Sequence, residues 1–522
     1  MKVRNLALFG IIAFPLIFSA CGTNNINEES AGIPQVEQGH GDEVVFALWA
    51  NPLSLDPQAT NDSIAAEANT QIYEGLVTFN SAGELSPLLA ESFDLIYPTV
   101  WEFILRQGVY FHDGSYFNAH AVKTSIDRLL DPERASPPAF ILEMVEEVIA
   151  VDDYTVHFVT EFPFSAFPAH LTRSAGFIIS PLAIEEEATG GRTVNENPVG
   201  TGPFMYVSFT PGEELRLIRN YNYWGELPRF QYLTMLVIPE PSVRRMMLET
   251  GEVNAFIASG SDMPDLQGNP DIDFITVVSS RLNFIGFNTQ VAPFNDARVR
   301  QAINMVIDLD SIIYSVQGMA VPAIGPVPPT VTGSAYEVLT PLTGTVEEAR
   351  ELLAEAGFPD GFSTTIILGE GRPLEESFMA QILQSNLMTY LNIDASIQVQ
   401  EWGTFLSNTG TGNHEIFVLS WTVITGDADY ALYPLFHSSN PGTSGRRTHF
   451  VNDEIDSLLE RSRIEVDQEA RNEIYTIISQ KIIDEVPLIS VFYPIFAIAT
   501  NGIDGLEFDF TAMPYFHSVT LR

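Results

Sequence analysis

The sequence predicts a mixed α/β fold of more than one domain, and three observations lead to it. The chain has 522 residues and 45% hydrophobic content, enough to bury large cores and to divide into two or three domains. Apolar residues alternate with period two in some stretches and recur at helical spacing in others, without strict alternation of the two kinds. Two of the helical runs are each followed by a short extended apolar segment. Thirty-five phenylalanines and 17 tyrosines exclude a disordered chain, and no repeat of about 20 to 50 residues is visible.

In chain order, the first element is a secretory signal over residues 1–20. Lys2 and Arg4 precede an apolar run from Leu6 to Phe18, and Ser19-Ala20 stand before Cys21. The run spans about 20 Å as a helix, too short for a hydrocarbon core of roughly 30 Å, and Pro15 weakens it. Small residues ahead of the only cysteine resemble a bacterial lipobox, which implies cleavage before Cys21 and acylation of its thiol. Residues 21–43 are polar and rich in Gly, Asn and Glu, and read as an anchor and flexible spacer. Order is expected from Val44-Val45-Phe46-Ala47-Leu48, a β-type run.

Trp101, Phe103 and Leu105 alternate with Glu102, Ile104 and Arg106, and His112-Asp113-Gly114 supplies a turn. From Asn118 to Leu130 the spacing becomes helical, with Val122, Ile126 and Leu129 on one face. Asn295-Asp296 offers an N-cap for a helix through Val299, Ala302, Ile303, Val306 and Ile307, with Gly318 as its stop. Residues 375–391 and 452–485 read as two further amphipathic helices, followed by the extended segments Ser396–Val399 and Leu488–Phe492. No stretch after the signal offers about twenty uninterrupted apolar residues, so the body is read as soluble.

Net charge is −42, from 67 acidic and 25 basic residues, and only Lys2, Lys123 and Lys481 are lysines. Such a surface repels nucleic acid and anionic headgroups. It suits high salt, where screening weakens self-repulsion, and a saline or alkaline habitat is the expectation. One cysteine permits no intrachain disulfide.

Several segments together resemble the extracellular solute-binding proteins of peptide/nickel ABC importers (family 5). They include Leu55-Asp56-Pro57, Tyr73-Glu74-Gly75-Leu76-Val77, Trp101 through Gly114 with Phe117-Asn118-Ala119, and Asn197 through Phe204. Asn220 through Trp224, Phe287-Asn288, Pro293 through Ala302, Glu348–Gly357, Glu401-Trp402 and Trp421 onward complete the set, in family order from about 44 to 515. The version of the motif around Trp421 is closest to dipeptide- and glutathione-type binders.

The resemblance implies a two-lobed periplasmic-binding-protein-like α/β fold (type II, cluster C-like) with an extra subdomain inserted in the first lobe. Lobe 1 is expected from residues 44–80, 196–288 and 495–522, the subdomain from 81–195 and lobe 2 from 289–494. The chain should cross between lobes near Phe287-Asn288-Thr289 and again near Tyr493-Pro494. Closure of the lobes would bury the solute.

In peptide binders of this kind a tryptophan is followed three residues later by an aspartate for the peptide's α-amino group. Here that position is Ile424, and the nearest carboxylates, Asp427 and Asp429, are the candidates for the role. The alternative is that both are loop carboxylates or N-caps for a helix beginning near Tyr430. Arg372 is the implied partner of the peptide carboxylate, because its planar fork takes both oxygens, with Arg447 of the Arg446-Arg447 pair as a second choice. Trp402 and Trp421 would line the cleft.

No metal is expected, because none of the nine histidines forms a His-x-His or His-x₃-His pair. No cofactor fingerprint or nucleophile motif is present, and no enzyme is expected. The implied function is a monomeric receptor, lipid-anchored at Cys21 on the outer face of the cytoplasmic membrane, that captures short peptides for ABC permease subunits. An oligosaccharide ligand, or a surface sensor with no transport role, remains open.

Overall fold

The strand Leu488–Asn501 runs through both halves of the molecule and ties them together. Its first half pairs antiparallel with Arg281–Phe287 and Ala320–Pro322, and its second half with Ala255–Ala258 and Ile272–Val278. Partners change between Pro494 and Ile495. The computed structural model describes residues 42–522 apart from 61, 81, 82, 261, 371, 373, 441, 443 and 444. The signal, Cys21 and most of the spacer lie outside the described residues.

In the first lobe Glu43–Leu48 lies between Tyr232–Val237 and Ala255–Ala258, parallel to both. Val44, Phe46 and Leu48 are buried to 1% exposure or less, the apolar every-second-residue pattern that makes this segment a strand. An antiparallel four-stranded sheet, ordered Ala90–Tyr97, Val100–Leu105, Thr155–Thr160, Val145–Asp152, forms the inserted subdomain. Ala119–Leu130 covers it, with Val122, Ile126 and Leu129 fully buried and the Asn118 side chain accepting from the Ala121 N–H as N-cap. Gly114 takes φ +83° in the turn after Phe111, the left-handed conformation that only glycine adopts freely. The subdomain and the rest of the lobe share one hydrophobic cluster, from Val44 through Phe103 and Phe158 to Phe516.

The second lobe is built on Arg281–Phe287, Ile416–Thr422, Ser363–Gly369 and Asp394–Gln400. Alternate residues of these strands enter different cores. Leu282, Phe284 and Phe417 join Leu432 and Ile478 on one face, while Ile285, Ile416 and Val418 join Met379 and Leu387 on the other. Helices thus cover both faces of this half of the sheet.

The structure departs from the sequence expectation at three places. The first crossing between lobes falls at Ser279-Ser280, between Ile272–Val278 and Arg281–Phe287, and not at Phe287–Thr289. The run Leu282–Phe287 is apolar for either lobe, and its register with Ile416–Thr422 assigns it to the second. The helix after Asp296 stops at Met305, and Asp308 caps a second helix, Leu309–Ser315, by accepting from the Ser311 N–H at 3.0 Å. The run 452–485 is likewise two helices, Asp453–Ile464 and Gln468–Glu485, the second capped by Asp467. In both places an aspartate cap interrupts an apolar period that continues across the break. No helix among the described residues is long and apolar enough to cross a membrane.

Candidate functional site

The two lobes meet where the strand Ile416–Thr422 turns into the helix Ala428–Phe436. Trp421 anchors that turn: its Nε1–H donates to the Tyr430 carbonyl at 2.9 Å and its ring stacks on Tyr430 at 5.5 Å. The Val423 N–H donates to the Ser280 carbonyl at the crossing. Gly426 has φ +63°, and a Cβ there would lie 2.6 Å from the Phe79 ring and 2.7 Å from that of Phe510. Glycine is therefore required where this loop lands on the first lobe. Ile424 packs against the cores of both lobes.

Asp427 is the N-cap of Ala428–Phe436, and Asp429 lies in the first turn of that helix. Asp427 caps Ala428–Phe436 by accepting from the Asp429 N–H at 2.9 Å, and it pairs with Arg471 and accepts from the Tyr475 hydroxyl. Asp429 holds Arg463 by two parallel bonds, 2.8 Å from Nε and 3.1 Å from Nη2. The residues are 5% and 1% exposed. Burial pushes the Asp429 carboxyl up, but the Arg463 charge outweighs it and leaves the group below the usual carboxylate range. Each aspartate already has a guanidinium within its own lobe, so neither offers an uncompensated charge to an incoming ammonium.

Arg463 also reaches the first lobe. Its guanidinium lies 3.3 Å from the Tyr433 ring centroid and 5.1 and 5.6 Å from those of Phe164 and Phe162. The Ser165 N–H donates to the Arg463 carbonyl at 3.1 Å. These contacts cross from subdomain to second lobe.

Arg372 and Trp402 come together at the end of the second-lobe sheet, while Trp421 engages Tyr430. Arg372 donates through Nε and Nη2 to Glu376 at 3.1 and 2.6 Å, and through Nη2 to Ser420 Oγ at 2.8 Å. It stands 5.0 Å over the Trp402 ring, which stacks on Phe405. A Cβ at Gly369 would lie 2.6 Å from that indole, so the glycine admits the ring. Arg447 does other work: it donates to the Leu406 carbonyl and to Thr409 Oγ1 at 3.0 and 2.6 Å, pinning the helix Trp402–Thr411.

Sequence reading missed Arg281, the first residue after the crossing. Its Nε is 3.4 Å from Thr422 Oγ1 and its guanidinium 5.3 Å from the Phe496 ring centroid. Among the described residues no carboxylate is within ion-pair distance of it. Burial depresses its pKa, Glu375 works against that, and the like charge of Arg372 adds to it. A strand-opening arginine carries no local signal, because its neighbours come from segments 90 and more residues away.

A second missed feature is a cavity of about 250 Å³ in the first lobe, between Thr70–Asn80 and the C-terminal segment. Glu74 lines it, 5% exposed, and accepts from the Tyr223 hydroxyl at 2.8 Å, Trp224 Nε1 at 2.9 Å and Thr201 Oγ1 at 2.7 Å. All three donors are neutral. Burial raises its pKa to about 7, and the hydrogen bonds only partly oppose that. Across the cavity Asp509 is paired with Arg173, 2.5 Å from Nη2. Among the described residues no group of three or more His, Cys, Asp or Glu is placed to hold a metal ion.

Residues 84–443 match the family model described as bacterial extracellular solute-binding proteins, family 5 Middle. The chain is 30% identical over 462 residues to the glutathione-binding protein GsiB of Pectobacterium atrosepticum, covering 86% of this chain and 88% of that one. Among solved structures, HbpA2 from Haemophilus parasuis superposes with a TM-score of 0.83 at 27% identity, covering 92% of this chain and 100% of that one. The periplasmic binding protein DppA from Helicobacter pylori, in complex with peptide STSA, gives 0.78 at 30% identity, with 92% and 98% covered.

Proposed function

The chain belongs to the bacterial extracellular solute-binding proteins of family 5, and on that premise we propose that it captures short peptides between its lobes for an ABC importer. These are binding proteins, not enzymes, so the working step is closure of the lobes over a solute. The observation that carries the reading is Arg281 at the crossing, opposite Thr422 in the sheet and within electrostatic reach of Arg372. Arg281 has two η-nitrogens with no hydrogen bond among the described residues, and its charge is disfavoured where it stands. A carboxylate arriving there gains a charge-assisted bond and relieves that strain. The relatives named for glutathione and the DppA complex with peptide STSA support a ligand of this class.

Delivery to a permease requires that the closed form be the one recognised, which makes ligand affinity for that form the signal. Acylated Cys21, outside the described residues, would hold the receptor near its permease on a spacer of roughly 20 residues at high effective concentration.

Isothermal titration calorimetry with a dipeptide-to-pentapeptide library tests the reading. Arg281→Ala should weaken a free peptide at least tenfold and leave the matching C-terminal amide unchanged. A neutral oligosaccharide would be indifferent to that charge, so saturable binding of a sugar with no response to Arg281→Ala or Arg372→Ala would replace the peptide reading.

A further inference from the structure

A zwitterionic ligand has two ends, and the groups around Arg281 serve only its carboxylate. The second-lobe aspartates near the closure are both spent on arginines. The first-lobe cavity is built for the opposite charge. Its lining includes the aromatic residues Phe79, Phe177, Tyr223, Phe508 and Tyr515 together with Glu74. Aromatic faces carry negative potential and attract organic cations, the more so in a desolvated pocket. Among the described residues that line it, Arg173 alone has a fixed positive charge, and Asp509 neutralises it. Glu74 has no cationic partner within ion-pair distance among the described residues, although burying a lone carboxylate is costly.

A further feature strengthens the case. Phe79 belongs to the cavity wall and is also the ring against which Gly426 of the second lobe rests. The cavity therefore adjoins a point of lobe contact. Glu74 is engaged by three neutral donors and the surrounding wall is aromatic, a lining that suits an organic ammonium better than a dehydrated divalent ion, which takes many oxygen ligands.

We propose that this cavity binds an organic ammonium group, with Glu74 as counter-charge and the rings of Phe79, Tyr223 and Phe508 as the cation-binding wall. The cation is either the terminal ammonium of the captured peptide, which rests on the peptide reading above, or a free small amine, which does not. Calorimetric titration of the purified protein with tetramethylammonium and ethylammonium chloride, against sodium chloride at equal ionic strength, tests the cavity directly. Saturable binding is expected, weakened at least tenfold by Glu74→Gln and several-fold by Phe508→Leu. Phe508→Leu removes an aromatic face without touching a charge, and it carries the test if Glu74→Gln does not fold. A second arm compares a free peptide with its N-acetylated form. A tenfold loss on acetylation, abolished in Glu74→Gln, assigns the site to the peptide terminus; no loss, with saturable ammonium binding, assigns it to a free amine. Binding of ammonium without binding of any peptide keeps the cavity and removes the peptide reading. Absence of saturable ammonium binding, together with equal affinity for acetylated and free peptide, overturns the proposal.

Discussion

Asp427 and Asp429 on one side of the lobe contact and Glu74 on the other are all buried carboxylates, held in opposite ways. The aspartates face guanidinium groups, Arg471 and Arg463, and Asp429 is kept ionised below the usual range. Glu74 faces a phenol, an indole and a hydroxyl, and burial lifts its pKa to about 7. Three neutral donors stabilise the charge less than one well-placed cation does, so burial decides the outcome at Glu74 and the ion pair decides it at Asp429. A buried acid is thus structural where its charge is matched inside the chain, and open to a ligand where it is not.

The largest expected effect comes from unmatching a matched pair. Asp427→Ala leaves Arg471 buried and unpaired and removes the cap of Ala428–Phe436, at a cost of about 3–5 kcal/mol in denaturant melts. The double variant Asp427→Leu/Arg471→Met should recover most of that loss, because it leaves no orphaned charge. If the single variant lost less than about 1 kcal/mol, the aspartate would not be the structural group the comparison makes it.

Glu74 should announce itself through pH. Its unfolded pKa is the ordinary 4.5 and its folded pKa about 7, so between those values the native state holds a proton that the unfolded chain has released. Stability from this group is fully present below about pH 4.5 and lost as pH rises through about 7, by up to roughly 3 kcal/mol. Arg106 acts on Glu74 through its charge, and Arg173, Glu507, Asp509, Tyr515 and His517 share the cavity. The measurement is therefore the slope of stability between pH 5 and 8 in wild type against Glu74→Gln. The variant should lack that share of the decline; parallel slopes would place Glu74 in the same class as the aspartates.

What was legible in the sequence divides along the same line. Asp427 could be read as a helix cap because capping is local: the acid stands just before the helix it serves. Its partner Arg471 and that of Asp429, Arg463, lie 44 and 34 residues further on, and nothing in the segment around Trp421 announces them. Glu74 was visible only as part of Tyr73-Glu74-Gly75-Leu76-Val77, since its donors come from residues 201, 223 and 224. The fold behaved alike. Ala119–Leu130 was readable from its period, whereas the crossing at Ser279-Ser280 depends on a register with strands more than a hundred residues away. The family itself was readable because many short segments keep one order along the chain.

Salt gives the smallest effect and separates buried acids from the rest. With a net charge of −42, most carboxylates stand at the surface and repel one another over a distance that shrinks from about 30 Å at 0.01 M to about 3 Å at 1 M salt. The melting temperature should therefore rise by several degrees between those limits, from surface screening alone. The cost of Asp427→Ala should change little over the same range, because the Asp427–Arg471 pair is buried and screening does not reach it. A penalty for that variant that shrank with salt in step with the whole protein would mean that the pair is solvated in solution. The division between acids matched inside the chain and acids left for a ligand would then have to be drawn again.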